Sequence, residues 1–283
     1  MSSSAASSAA PDTIVLIHGL WLTPRSWEHW IDRYMRAGYR VLAPAWPGME
    51  GEVEELRRDP SPIARLDISQ VVDHYEQIIY DLEQPPIIMG HSFGGTFVQL
   101  LLDRGLGSAG VAIDAAPVKG VLRMPPSTLK ATFPVLHNPA NRRRAIPLTP
   151  EQFHYTFTNT MTPEESQEAY DRYHVPGAGH IVFEAAVTNL NPFTADRVNF
   201  TREDRAPLLL IASGDDHLVP PNMTKEDAGH YQQSKAITAY VEFPDRSHFT
   251  IGQNGWEQVA DFALDWAVNP ESVHALPDGR RPG

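Results

Sequence analysis

Ser92 lies at the centre of Gly90-His91-Ser92-Phe93-Gly94. A serine hydroxyl is a weak nucleophile at neutral pH. It attacks a carbonyl only when a base takes its proton and a carboxylate orients that base. The pentapeptide therefore calls for an imidazole and an acid from elsewhere in the chain. Most of the 12 histidines must be bystanders. His248 stands out because its loop, Pro244-Asp245-Arg246-Ser247-His248-Phe249, follows a strand-like run. Asp215 and Asp216 sit in Ser213 to Pro220, beyond another such run, and both qualify on position. Charge that develops on a carbonyl oxygen needs N–H donors. The amide of Phe93, directly after the serine, is the first expected donor. The second comes from His18-Gly19-Leu20-Trp21, where Gly19 lets the backbone approach. Leu20 is preferred and Trp21 is the runner-up.

These loops need elements to place them. Thr13 to Gly19, Tyr39 to Pro44, Pro86 to Met89 and Gly110 to Ala116 are short, apolar and strand-like. Helical patterns fall between them. Pro24 to Gly38 carries Trp27, Trp30, Ile31 and Tyr34 at helical spacing. Leu66 to Leu82 carries an apolar stripe, and Phe93 to Gly105 is a third helix. Such alternation implies a parallel sheet with helices on both faces. It stops between Pro117 and Pro207, where proline is frequent and helices are expected at Glu151 to Thr158 and Pro163 to Tyr173. It resumes with strands at Leu208 to Ala212 and Ile237 to Phe243 and a helix from about Gln253 to Trp266. In a parallel sheet, loops after strand ends share one edge, so Ser92, the acid loop and the His248 loop converge there. A bare G-x-S-x-G marks only a glycine-rich turn. Between a strand and a helix it is a sharp elbow that lifts the hydroxyl, with glycine needed at Gly90 and Gly94 for close approach.

The 283 residues suit one large domain with an insertion, and 42% hydrophobic and 20% charged residues are ordinary for a globular chain. A net charge of −12 opposes nucleic acid as a partner. No run is long and apolar enough to span a membrane, so no membrane partner is expected. The absence of cysteine excludes disulfides and thiolate chemistry. The start, MSSSAASSAA, lacks the basic and apolar parts of a secretory signal, so a cytoplasmic location is expected.

The strand-ending His18-Gly19, the elbow around Ser92, the Asp216-x-x-Val219-Pro220 loop and Ser247-His248-Phe249 together resemble the α/β-hydrolase superfamily, in its esterase/lipase branch with a helical cap. The resemblance covers about Asp12 to Ala267. It implies the order Ser92, Asp216, His248, and it selects Asp216 over Asp215 because the family's acid directly precedes x-x-Val-Pro. The usual core begins with two further strands. Only about twelve residues precede the first strand here, so a sheet of about six strands is expected. The expected division is a leader over 1–11, a core over 12–117 and 207–268, a helical cap over 118–206 and a flexible tail over 269–283.

The implied activity is hydrolysis of a small or medium, largely apolar ester or lactone, without cofactor or metal. Carbon–carbon bond hydrolysis, lyase chemistry or cofactor-free peroxidase-like chemistry on the same three residues is the alternative. A dead scaffold that only binds has little support, since all three are present. Trp21, Trp46 and Phe249 follow strand ends and are expected to line the pocket, with Tyr155 in its roof. Phe153, Tyr155 and Phe157 could equally pack the insertion on itself. His18 and His91 read as turn-structuring residues and His217 as exposed. Arg142-Arg143-Arg144 reads as a solvated helix end rather than an anchor for a substrate carboxylate. A homodimer is left open.

Overall fold

Apolar runs too short for helices and too hydrophobic for the surface build the centre of the chain. In the computed structural model, which describes residues 11–272, they form six strands of one sheet. These are β1 (Thr13–Ile17), β2 (Arg40–Leu42), β3 (Ile87–His91), β4 (Ala109–Ile113), β7 (Leu208–Ser213) and β8 (Thr238–Phe243). The order is β2-β1-β3-β4-β7-β8 and every pairing is parallel. The four inner strands are buried throughout, whereas β2 and β8 at the edges are partly exposed. Continuous apolar runs are what a sheet covered on both faces requires. Expectations for residues 1–10 and 273–283 lie outside the described residues.

Two groups of helices cover the sheet. The first is α1 (Glu28–Arg36) with α10 (Trp256–Val268), and α2 (Val53–Arg58) lies between β2 and the second group. Tyr34 donates to the Ala260 carbonyl and Arg33 pairs with Asp261, which joins α1 to α10. The second group is α3 (Ile68–Tyr80), α4 (Phe93–Asp103) and α9 (Pro221–His230). Arg104 reaches Asp73 and Glu76 on α3, and Gln99 on α4 donates to Asp227 on α9 at 2.9 Å. The Pro24–Gly38 pattern is a 3-10 turn, Pro24–Trp27, that runs into α1.

Between β4 and β7 the chain forms α5 (Pro126–Leu136), α6 (Pro150–Phe157), α7 (Pro163–Tyr173) and α8 (Gly179–Val187), with a two-residue antiparallel pair, β5 (Ala145–Ile146) and β6 (Gly177–Ala178). The insertion is tied down hard on the core. Glu28 accepts from Arg172 and Tyr173, Arg57 donates to the carbonyls of Tyr170 and His174, and Trp21 Nε1 donates to Ile146 O.

Asp227 illustrates the electrostatics of this packing. It is buried, and only one of its carboxyl oxygens has a partner. Burial pushes its carboxyl up to about 7, against the stabilising hydrogen bond from Gln99. The folded chain therefore holds an extra proton between the unfolded value near 3.8 and about 7, so this group's contribution to stability is lost as pH rises through that window. Asp227→Asn keeps the shape and abolishes the titration. Its stability relative to the parent should rise by about 2–3 kcal/mol between pH 5 and pH 8. Urea unfolding of both chains at the two pH values reads this directly, and a pH-independent difference would refute it.

Candidate active site

The sheet order reverses at β1, with β2 on one side and β3 on the other. Chains leaving β1 and β3 then turn away to opposite faces, and a crevice opens between their carboxyl ends. His18 to Trp21 follow β1 and Ser92 follows β3, so both sit at that crevice.

Ser92 has φ 55° and ψ −123°, the sharp elbow expected between strand and helix. Its backbone is overdetermined: Ser92 N donates to Ile113 O, and Ser92 O accepts from Gly95, Thr96 and Ala116. The glycine argument holds. A methyl carbon on Gly90 would lie 2.1 Å from the Gly94 carbonyl oxygen, and one on Gly94 would lie 2.1 Å from that of Ile17. Gly19 packs against Ser92, whose Cβ lies only 2.8 Å from where a side chain on Gly19 would begin. Phe93 opens α4, so its N–H has no acceptor within the helix.

His248 and Asp216 meet at 2.6 Å, Nδ1 to Oδ2, and both are buried. The other Asp216 oxygen accepts from Leu218 N at 2.7 Å and Val219 N at 2.9 Å. This explains why the acid precedes x-x-Val-Pro: the following turn supplies amides that fix the carboxylate. Asp215 is exposed. With Nδ1–H donated to Asp216, His248 Nε2 is buried and has no partner among the described residues. The ring lies beside the elbow. His91, directly before Ser92, hydrogen-bonds His248 O through Nε2 at 2.7 Å, and the two rings are 4.7 Å apart. The structure thus joins His248 to Asp216 and sets the His248 ring against His91, the residue before Ser92, while among the described residues no hydrogen bond links Ser92 Oγ to His248.

The two neighbouring histidines are held neutral. Burial, followed by the nearby His248, keeps His91 well below the ordinary imidazole range. Burial brings His18 down to about 4, against its bond to the Gly19 carbonyl. A neutral His18 can donate from Nδ1 to Gly19 O and accept from Trp46 N at Nε2, which braces the loop after β1. Both act on the turns, as expected. His217 corrects the expectation of an exposed ring, because it is half-buried and bonds Tyr155 O at 2.9 Å.

Asp114 was not anticipated. It ends β4 at φ 46°, fully buried, and accepts from Ser213 N and Oγ at 2.7 and 2.8 Å. Burial, reinforced by the Asp216 charge, pushes its carboxyl well above the usual range. His91, Asp114 and His248 offer donor atoms within 4.8 Å of one another. Both Asp114 oxygens, His91 Nε2 and His248 Nδ1 are engaged in hydrogen bonds, whereas His91 Nδ1 and His248 Nε2 have no partner among the described residues.

A cavity of about 260 Å³ opens over Ser92. Its walls are almost wholly apolar and come from Trp21, Phe93 and Val219 below and from Leu129, Leu136 and Val182 on α5 and α8 above. Trp21 is among its lining residues, whereas Trp46, Phe249 and Tyr155 are not. Trp46 is fully buried, stacked on His18 at 4.9 Å and edge-on to Phe97, so it packs behind the loop. Phe249 is buried against Tyr173, beside a separate groove between α7 and the loop before α10. Tyr155 faces His217 and Lys130. Phe153 and Phe157 stack on each other at 4.9 Å, and Phe157 also meets the His248 ring. Arg142, Arg143 and Arg144 are exposed and do not line this cavity.

A parallel sheet with a nucleophile elbow, an acid after β7 and an imidazole after β8 defines the class of α/β-hydrolase enzymes. The sequence profile of the Alpha/beta hydrolase family matches residues 14–262, and the chain belongs to that family. Similar solved structures include a monoacylglycerol lipase from Paleococcus ferrophilus, 20% identical over 92% of this chain and 95% of that one, with a TM-score of 0.62. A pyrethroid hydrolase from Sphingobium faniae is 20% identical over 91% and 98%, at 0.63. A putative non-heme bromoperoxidase from Mycobacterium tuberculosis is 18% identical over 92% and 93%, at 0.66. No sequence among curated proteins matches the chain.

Proposed function

We propose that this chain is a serine hydrolase of small or medium, largely apolar carboxylic esters or lactones. One observation carries the reading: Ser92 sits on a strained elbow that lines an apolar cavity, and the ring packed on its neighbour His91 is that of His248, held by Asp216 through Nδ1 with Nε2 unpartnered. His248 Nε2 takes the hydroxyl proton as Ser92 Oγ bonds to the acyl carbon. Asp216 holds Nδ1–H and stabilises the imidazolium. The amides of Phe93 and Leu20 face the oxygen that becomes negative. His248 then gives its proton to the leaving alkoxide, and an acyl-enzyme remains on Ser92. Water, deprotonated by His248, attacks that carbonyl and releases the acid and the free serine.

The insertion acts as a cap in this reading. Its α5 and α8 helices close the cavity over Ser92, exclude water and offer the acyl chain an apolar wall. Burying one methylene there contributes about 0.8 kcal/mol, so chain length should govern KM. The test is labelling with a fluorophosphonate, followed by a panel of nitrophenyl esters of rising chain length. Label on Ser92 with turnover that favours apolar chains is the expected result. Label on Ser92 without turnover of any ester would move the assignment to carbon–carbon hydrolysis, lyase or peroxidase-like chemistry. Label elsewhere would remove Ser92 from the mechanism.

A further inference from the structure

Between Asp114 and Glu151 the chain carries Lys119, Arg123, Lys130 and Arg142 to Arg144 and no acidic residue. This is a stretch of uninterrupted positive charge in a chain of net −12. The same stretch shows large apolar side chains to solvent. Leu122, Met124, Leu129 and Phe133 are exposed, joined by Leu190 at 85% and Phe193 at 91%. Val187, at the end of α8, is exposed as well, and among the described residues the rest of the chain exposes Met35, Tyr80 and Val268, which are scattered. The apolar residues of the insertion are contiguous. Leu129 and Phe133 lie one turn apart on α5. The loop bearing Leu122 is tied to that bearing Leu190, because Asn189 accepts from Gly120 N and donates to Val121 O. Arg142 and Arg143 follow α5 in a 3-10 turn, Pro139–Arg143, packed against α8.

Isolated exposed leucines need no explanation, but a contiguous apolar face edged by cations does. This face is continuous with the cavity over Ser92. Met124 and Leu129 line the cavity and yet are 49% and 52% exposed, so they stand in its mouth. We infer that this face of the insertion docks on the surface of an anionic lipid bilayer. The apolar side chains would enter the headgroup region and the arginines would meet lipid phosphates. Glu226 neutralises Arg123 by an ion pair, so Arg142 to Arg144 carry most of the attraction. No helix among the described residues is long and apolar enough to cross a membrane, and a peripheral contact needs none. The inference thus departs from the expectation of no membrane partner, which rested on spanning segments alone. It goes beyond the proposed chemistry and does not require it, although a mouth set on a bilayer would admit apolar esters directly.

The test is flotation of the full chain with vesicles of phosphatidylcholine alone, or of an equal mixture with phosphatidylglycerol. Binding to the mixture that weakens with added salt is the expected result. Arg142→Gln with Arg143→Gln and Arg144→Gln should cut that affinity about a hundredfold, at roughly fivefold for each charge lost. Leu122→Ser with Phe133→Ser and Leu190→Ser should cut it about tenfold or more. None of these residues lines the cavity, so turnover of a water-soluble ester should be unchanged and certifies the fold. Failure of the parent chain to float, or binding indifferent to both sets of changes, overturns the inference. So does a concentration-dependent dimer abolished by the apolar set, which would assign the face to a second copy. A chain that floats but cleaves no ester leaves the docking in place and sinks only the ester reading.

Discussion

Ser92→Ala should lower ester turnover by about 10³–10⁶-fold and leave the urea unfolding curve almost unmoved. The two halves of that expectation come from different atoms. Ser92 lines the cavity, and its hydroxyl makes no capping bond to α4. The elbow is held by the Ser92 backbone, through Ile113, Gly95, Thr96 and Ala116, and alanine keeps all of it. Alanine at φ 55° is about as strained as serine, so the strained conformation is not relieved. Steady-state kinetics on the best ester of the panel, with unfolding run in parallel, read both. Turnover above about a tenth of the parent would show that the reaction does not pass through this oxygen.

Asp216→Asn should cost about 10⁴-fold in kcat, whereas Asp215→Asn should cost less than about twofold. The size of the first effect follows from the turn. Asp216 Oδ1 is claimed by the amides of Leu218 and Val219, which only an oxygen can satisfy. An asparagine there must spend its one oxygen on those amides and turn its NH₂ toward His248 Nδ1. The imidazole then has to carry its proton on Nε2, where it cannot accept one from Ser92. Asp215 is exposed and its neighbours hold its backbone. Asp114 makes the comparison sharper, since it is the other buried acid near the ring. Burial pushes its carboxyl well above the usual range, and both oxygens accept from Ser213, so it is not placed to stabilise an imidazolium. Asp114→Asn should therefore lower stability more than turnover. If it instead proved the costlier change in kcat, with Asp216→Asn mild, the acid would have to be reassigned.

The order of the six core strands and of α1, α3, α4 and α10 was legible because the strands are short apolar runs and these helices carry apolar faces, whereas α2 and α9 were not predicted. Helices α6 and α7 were legible for a local reason. Each opens with threonine, then proline, and a glutamine or glutamate three residues after the threonine, which forms a reciprocal cap. Helices α5 and α8 have no such mark. The first begins after Pro125 without a side-chain cap and contains Pro134, and the second begins at Gly179 with no cap at all. Tertiary packing stabilises them in place of local signals. They are also the two helices that roof the cavity, so the pocket lining was the part of the site that pattern reading missed.

The sequence alone was enough to single out Ser92 on its elbow, to propose His248 as its base and to predict a six-stranded parallel sheet with both residues in loops beyond strand ends. Those depend on short-range facts: a strand ending in a glycine-flanked turn, and loops that a parallel topology must place on one side. Only the tertiary structure decided which aromatics face Ser92, that Asp114 lies beside the imidazole, and that an apolar and basic face surrounds the mouth. Side-chain direction after a strand end depends on what distant segments leave unfilled. Trp46 and Phe249 were drawn into packing by His18 and Tyr173, partners that no spacing in the chain reveals.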